Sequence, residues 1–288
     1  MNNLHIELNR RPSMLSAYCG GLLRRRSGLR AGEQTAPITV TWPRYRINRQ
    51  HLGKFLALTG LSGSQEIPFV YPLVLLFPVH MYMMAHPTFP LQFSKMMQVR
   101  THLVQHRPVH RDEVLDMHCS VFNLHVVSTG MEVDFKTVYT SQGQPVWELV
   151  TSYYMPGNYG PAGAHRSHFE PLTGDFEIVQ WHFPASTGIP MGHLTGDYNP
   201  LHYCAAFARR RGYRRDFAHA QLSLAECIKH LPPFTADRAV NLTMAIKGPV
   251  YYSHEVTMKY KAEPDYYRFD LYCGDNPRPS FVASVSLL

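Results

Sequence analysis

Leu194-Thr195-Gly196-Asp197-Tyr198-Asn199-Pro200-Leu201-His202, followed six residues later by Ala208, is the stretch around which the rest of this 288-residue chain is organised. Gly196, Asn199 and Pro200 force a turn: glycine supplies a left-handed backbone, asparagine bonds its own turn amides, and proline fixes φ. The turn separates two regular pieces and holds one carboxylate, Asp197, and one imidazole, His202, five positions apart. The two side chains can therefore reach one small volume. An aspartate and a histidine held together can take and give protons near neutral pH, which is the equipment of general acid and base catalysis.

Downstream, Tyr203 to Arg211 reads as a short helix stopped by Gly212, and a second helix runs from about Ala218 to Leu231, where Pro232 and Pro233 end it. Leu224, Cys227, Ile228 and Leu231 share one face of that helix, with Glu226 and Lys229 opposite. Four strict alternations follow, Val240 to Ile246, Val256 to Ala262, Tyr267 to Cys273 and Phe281 to Leu287. Each buries one face only. An amphipathic helix and an antiparallel sheet with a single apolar face satisfy each other when the sheet wraps around the helix.

Upstream the same plan is already present. Val40 and Trp42 open an extended piece, Arg49 to Leu58 forms a short helix ending at Gly60, and Ile67 to Met84 reads as a buried helical segment bracketed by prolines. That segment is core, part of which is suited to lining a cavity. Strands are predicted over Gln98 to Val104, Leu115 to Val127, Met131 to Tyr139 and Val146 to Tyr153. Pro156 to Pro171 has linker composition. Helix then four strands, twice, makes the chain α+β and internally duplicated. Its expected divisions are a basic flexible leader over 1–36, a first module over 37–156, a linker over 157–177 and a second module over 178–288. Leu58-Thr59-Gly60 echoes Leu194-Thr195-Gly196, with Leu61 where Asp197 would stand, so only the second module carries the Asp/His pair.

Composition narrows the partners. Lys and Arg number 28 against 21 Asp and Glu, a net charge of +7 that favours anionic ligands. No RNA-binding aromatic motif or helix-turn-helix pattern accompanies that charge, so nucleic acid is not expected. Five scattered cysteines without a CxxC pair read as reduced thiols in a cytoplasmic protein. No run of ~18 apolar residues is present to span a membrane. Arg10, Arg11, Arg24, Arg25, Arg26 and Arg30 surround a short apolar piece, Met14 to Leu23, which reads as a loose basic leader or a targeting segment. His102, His106 and His110 tempt a metal reading through their spacing of four, but Pro108 denies them one helix and a strand would not make them converge.

Gly196, Asp197, Asn199, Pro200, Leu201 and His202, with Ala208 beyond, resemble the hydratase signature of the MaoC-like, (R)-specific enoyl-thioester hydratases (hydratase 2). Tyr71-Pro72-Leu73 through Phe77-Pro78 to Met84 also looks like the first module of the family's two-module 3-hydroxyacyl-thioester dehydratases. The resemblance implies a double hot-dog fold and a hydro-lyase of fatty acid metabolism. Such an enzyme interconverts (R)-3-hydroxyacyl and trans-2-enoyl thioesters of CoA or acyl carrier protein, with no cofactor and no metal. It implies that Asp197 and His202 are catalytic, holding a water and moving two protons, without saying which is the base. Asn199 would orient His202 or the water, or simply make the turn. His219 would touch substrate or be structural.

His219-Ala220-Gln221 occupies the place of the family's histidine-glycine segment, so the Ala220 amide would meet the thioester oxygen. Met191 or Gly192 stands where the family has an aromatic residue, and Asp216-Phe217 replaces a proline-aliphatic pair. Arg209, Arg210, Arg211, Arg214 and Arg215 suit the phosphates of CoA or the acidic surface of a carrier protein, with Arg214 and Arg215 the named substrate contacts. The alternatives are an acyl-thioester-binding protein that does not turn over and a hot-dog thioesterase. A two-module chain is expected to be a monomer or a homodimer.

Overall fold

The computed structural model describes residues 4–288 apart from 24, 25, 27, 31, 32, 34–36, 64, 164–169 and 233–237. In chain order the first elements are β1 (Leu4–Glu7), α1 (Met14–Leu23), β2 (Ile38–Arg46), α2 (Arg49–Thr59) and α3 (Leu73–Ala85). Four strands come next: β3 (Met97–Gln105), β4 (Val114–Val127), β5 (Gly130–Ser141) and β6 (Gln144–Pro156). The second half contains β7 (Glu177–His182), α4 (Gly188–Thr195), α5 (Ala205–Arg210) and α6 (Ala220–His230). It ends with β8 (Val240–Ile246), β9 (Glu255–Glu263), β10 (Tyr266–Cys273) and β11 (Phe281–Leu287).

The chain divides into two compact units, one of Met1–Arg46, Leu76–Val104 and Glu113–His168, the other of Ile47–Leu75, Gln105–Asp112 and Phe169–Leu288. In the first unit the strands run in the order β1-β2-β4-β5-β6-β3. The β2–β4, β4–β5 and β5–β6 pairs are antiparallel, and β1 lies parallel to β2. Central β5 is buried on both faces, Glu132 and Asp134 included. Arg100 pairs with Glu132, and the Ser152 hydroxyl donates to Asp134 Oδ1 at 2.6 Å, so the buried carboxylates are satisfied.

The buried helix expected over 67–84 begins later, at Leu73. Pro68 and Pro72 disfavour helical backbone in the residues before them, and that stretch instead forms tight turns, Tyr71 N–H to Pro68 O at 2.8 Å among them. Within α3 the fully buried His80 takes part in a chain of hydrogen bonds. Tyr153 Oη donates to its Nδ1 at 3.0 Å, its Nε2–H donates to Thr137 Oγ1 at 3.4 Å, and Thr137 donates to Cys119 Sγ at 3.2 Å. Burial pushes His80 down to about 3, so it is neutral.

The stretch expected to be a flexible leader carries two regular elements among its described residues, β1 and α1. The edge of β2 offers β1 a hydrogen-bonding partner. Further along, the Arg26 guanidinium donates to the carbonyls of Ala85, His86 and Phe89 at 2.9, 2.8 and 3.1 Å, at and beyond the end of α3. Arg24 and Arg25 lie outside the described residues.

In the second unit β8-β11-β10-β9-β7 form a continuous antiparallel run. The predicted inward residues are buried, from Val240, Leu242 and Met244 through Phe269, Leu271 and Phe281 to Val285. At strand ends the alternation opens, leaving Ile246 half-buried and Ala262 exposed. Leu222, Leu224, Ala225 and Cys227 of α6 are buried, while Ile228 is half-buried. α2 belongs to this unit and packs against α4. Among the described residues no helix is long and apolar enough to cross a membrane.

Candidate active site

The Asp197–His202 turn is built by its own side chains. Gly196 caps α4 at φ 77°, where its N–H bonds Gly192 O at 2.8 Å. Thr195 Oγ1 donates to Met191 O at 2.9 Å and accepts the Asp197 N–H at 3.1 Å. Asp197 Oδ1 accepts the Asn199 N–H at 3.1 Å, and Asn199 Oδ1 accepts the Leu201 N–H at 3.2 Å. Pro200 then opens a 3-10 turn over Pro200–His202. The Asn199 side chain thus shapes the turn that carries His202.

This chain of bonds sets Asp197 Oδ2 3.5 Å from His202 Nε2, with side chains 18% and 12% exposed. His202 Nδ1–H donates to the Phe217 carbonyl at 2.9 Å, which fixes the tautomer of the neutral ring and leaves the Nε2 lone pair facing the carboxylate. Two acceptors at that distance call for a proton or a small donor between them. Burial pushes the Asp197 carboxyl up, but the hydrogen bond and charge that His202 supplies when its Nε2 also carries a proton, then His219 and the Asn199 amide, outweigh it and hold Asp197 at about 2. Asp197 is therefore ionised at neutral pH.

His219 lies beneath the pair. It is 1% exposed, its ring stacks on that of His202 with centroids 3.9 Å apart, and its Nε2–H donates to the Asp197 carbonyl at 3.1 Å. Burial and then the neighbouring His202 push it down to about 3, so it is a neutral prop for both residues. It stands just ahead of α6, whose first residue is Ala220. The first-turn amides of a helix have no acceptor within it, and Ser223 N–H to His219 O, at 3.0 Å, is the bond at which the ladder starts here.

Arg214 is exposed, whereas Arg215 Nε donates to Asp216 Oδ1 at 3.0 Å. Arg209 and Arg210 are exposed at the end of α5, and Arg211 lies over the Phe207 ring at 5.3 Å. Asp197, His202 and His219 are the one group among the described residues with ligand atoms within 4.8 Å of one another. The two imidazoles are stacked with planes 23° apart, so their in-plane lone pairs run side by side instead of converging on one tetrahedral point. The set suits proton transfer better than coordination. His102, His106 and His110 are each exposed and form no such group among the described residues.

Three features escape sequence reasoning. A Cβ on Gly188 would stand 2.1 Å from the His202 carbonyl oxygen, and one on Gly192 3.1 Å from that of Asp197, so α4 is kept bare where the turn lies on it. His51 Nε2–H donates to the Leu194 carbonyl at 2.8 Å from 143 residues away. The Phe217 carbonyl fixes the His202 tautomer. No spacing in the sequence signals any of these.

No protein-family model matches the chain. It is 23% identical over 218 residues, 74% of its length and 76% of the relative's, to the 3-hydroxyacyl-thioester dehydratase X of Mycobacterium tuberculosis. The crystal structure of that organism's HtdX superposes with a TM-score of 0.71 at 20% identity, covering 86% of this chain and 99% of the other. A MaoC-like dehydratase from Phytophthora capsici gives 0.71 at 15% identity over 88% and 96%. A further Mycobacterium tuberculosis protein, described as having a double hotdog fold, gives 0.50 at 15% identity over 83% and 88%. With its motif on the turn after α4 and its strands in this order, the chain is similar to that 3-hydroxyacyl-thioester dehydratase and has the double hot-dog fold of the MaoC-like dehydratases.

Proposed function

We propose that this protein adds water to trans-2-enoyl thioesters and removes it from (R)-3-hydroxyacyl thioesters. The observation that carries the reading is the Asp197 Oδ2 to His202 Nε2 separation of 3.5 Å, with the imidazole lone pair exposed to the carboxylate by the Phe217 carbonyl. A water lodged against both acceptors has its oxygen aimed away from them, toward the β-carbon of a bound enoyl group. His202 takes one proton of that water as its oxygen bonds to the β-carbon. The resulting imidazolium returns a proton to the α-carbon, so substrate and water appear intact in the product.

Asp197, ionised and 3.5 Å from the ring, serves as the fixed anion that steadies the imidazolium once His202 has taken the proton. Negative charge gathers meanwhile on the thioester oxygen. The Ala220 amide, in the first turn of α6, would donate to it, and one such donor is typically worth ~3 kcal/mol of barrier. Arg214, with Arg209 and Arg210, gives the phosphates of CoA or of a carrier-protein arm a cationic surface. Reversal of the same steps dehydrates the 3-hydroxyacyl thioester.

The test is loss of enoyl-thioester absorbance when the purified protein meets a short or medium trans-2-enoyl-CoA, run beside a thiol-release assay on acyl-CoA. Hydration is expected without thiol release. Asp197→Asn and His202→Ala are each expected to lower it by about 100-fold or more. Thiol release in place of hydration would convert the reading to a thioesterase. Saturable acyl-CoA binding without turnover, unchanged by Ala220→Gly, would leave only a binding protein.

A further inference from the structure

The tripeptide echo between the two halves is a structural equivalence. In α2, Thr59 Oγ1 donates to Phe55 O at 2.9 Å and accepts the Leu61 N–H at 3.4 Å, and Gly60 caps the helix at φ 68° with its N–H on Leu56 O at 2.8 Å. In α4, Thr195, Asp197 and Gly196 make the same three bonds at 2.9, 3.1 and 2.8 Å. α2 is therefore the counterpart of the helix that delivers Asp197, with Leu61 where the carboxylate would be. It lies in the same compact unit as α4 and packs against it.

The likeness also fails at the start of the helices. His51, in the first turn of α2, sends its Nε2–H to the carbonyl of Leu194 at 2.8 Å. Its Nδ1 then has to be an acceptor, and Tyr71 Oη, fully buried, donates to it at 2.8 Å. The His51 N–H is itself held by the Asn48 side chain at 2.9 Å. Thr187, at the matching position before α4, bonds its own Pro184 carbonyl at 2.7 Å instead and reaches nothing in α2 through that bond. Leu194 belongs to the last turn of α4 and stands three residues before Asp197.

We infer that His51 is a positioning residue for the hydration reaction: the half without the Asp/His pair uses it, oriented by Tyr71, to pin the end of α4 and so hold Asp197 at its distance from His202. The helix without a carboxylate thus serves as a strut for the other. A donor–acceptor bond to a main-chain carbonyl fixes the backbone, and displacement of a catalytic group by ~1 Å can cost about 100-fold in rate.

The inference rests on the proposed hydratase reading, and its test separates the two. Wild type, His51→Leu and His51→Gln are compared in enoyl-CoA hydration and in amide hydrogen exchange at Gly196, Asp197 and Asn199. Loss of the donor in His51→Leu is expected to lower kcat about tenfold or more with KM within about twofold, and to speed exchange at those three amides. His51→Gln, whose carboxamide N–H reaches the same carbonyl, is expected to recover most of both. The strut is refuted when His51→Leu matches wild type within about twofold in rate and exchange, or when His51→Gln does no better than His51→Leu. Should wild type itself fail to hydrate, the activity falls and the exchange comparison alone decides on His51.

Discussion

The carbonyl oxygen of His202 rests on the α-carbon of Gly188, so closely that a methyl group there would sit 2.1 Å from it and 3.1 Å from the Tyr252 hydroxyl. Gly188 has an ordinary helical backbone, with φ of −61° and ψ of −51°, so its glycine is required by space and not by conformation. The Gly196–His202 turn lies flat on α4 because α4 has no side chain in its way.

Gly188→Ala must therefore push the His202 segment off the helix. Overpacking of this kind typically costs ~1 to 3 kcal/mol, and the displaced imidazole should lower hydration about tenfold or more. Gly192→Ala, with 3.1 Å to the Asp197 carbonyl, should be milder in both respects. Thermal melts and kcat for the two variants check the ranking.

Acid should destabilise the protein through its buried histidines. His80 and His219 are both pushed down from 6.5 to about 3, so between those values the unfolded chain binds protons that the folded chain refuses. Their contribution is complete above pH ~6.5 and is lost as pH falls toward ~3, and Asp197, held at about 2 instead of 3.8, adds a loss of the same sign below pH ~3.8. Melting temperature should drop steadily from pH 6.5 to 4. In His80→Gln, which has no proton to gain, the slope should be shallower by one proton's share, and equal slopes would contradict the neutral state of His80.

Arg268 and Asp270 pair within β10, and both are buried. Arg268 also donates to Glu170 O at 2.8 Å, and Asp270 Oδ2 accepts the Leu172 N–H at 2.7 Å. Asp270→Ala leaves a buried guanidinium without its carboxylate and releases the Leu172 amide, so a loss of ~3 to 5 kcal/mol is expected in denaturant unfolding. An equal loss from the exposed pair Arg238 and Asp265, when Asp265→Ala is made, would contradict burial as the cause.

Arg214→Ala is expected to raise KM for enoyl-CoA by about three- to tenfold with little change in kcat, and the effect should shrink as salt is added. Arg215→Ala should act differently, because Arg215 is bound to the buried Asp216 carboxylate, and should cost stability instead. Kinetics across a salt series separates the two arginines.

The strands from β8 to β11 and the buried side of α6 could be read directly from Val240 to Val285 and from Leu224 and Cys227, because a sheet face and a helix face impose periods of 2 and 3.6 on the chain. The turn from Gly196 to His202 was equally plain, since its hydrogen bonds run between residues two to four apart. Local order of that kind is written where it is used. Tertiary structure decided the rest: that β1 and α1 occupy the basic N-terminal stretch, that α2 joins the second half's helices, that His219 props Asp197 from 22 residues away and that His51 reaches Leu194 across 143. Those relations depend on which surfaces meet once the chain is folded, and no periodicity marks a residue for a partner so distant. The sequence determined the periodic strands, the helix they wrap and the turn that holds a carboxylate and an imidazole together; packing decided which distant groups brace that turn.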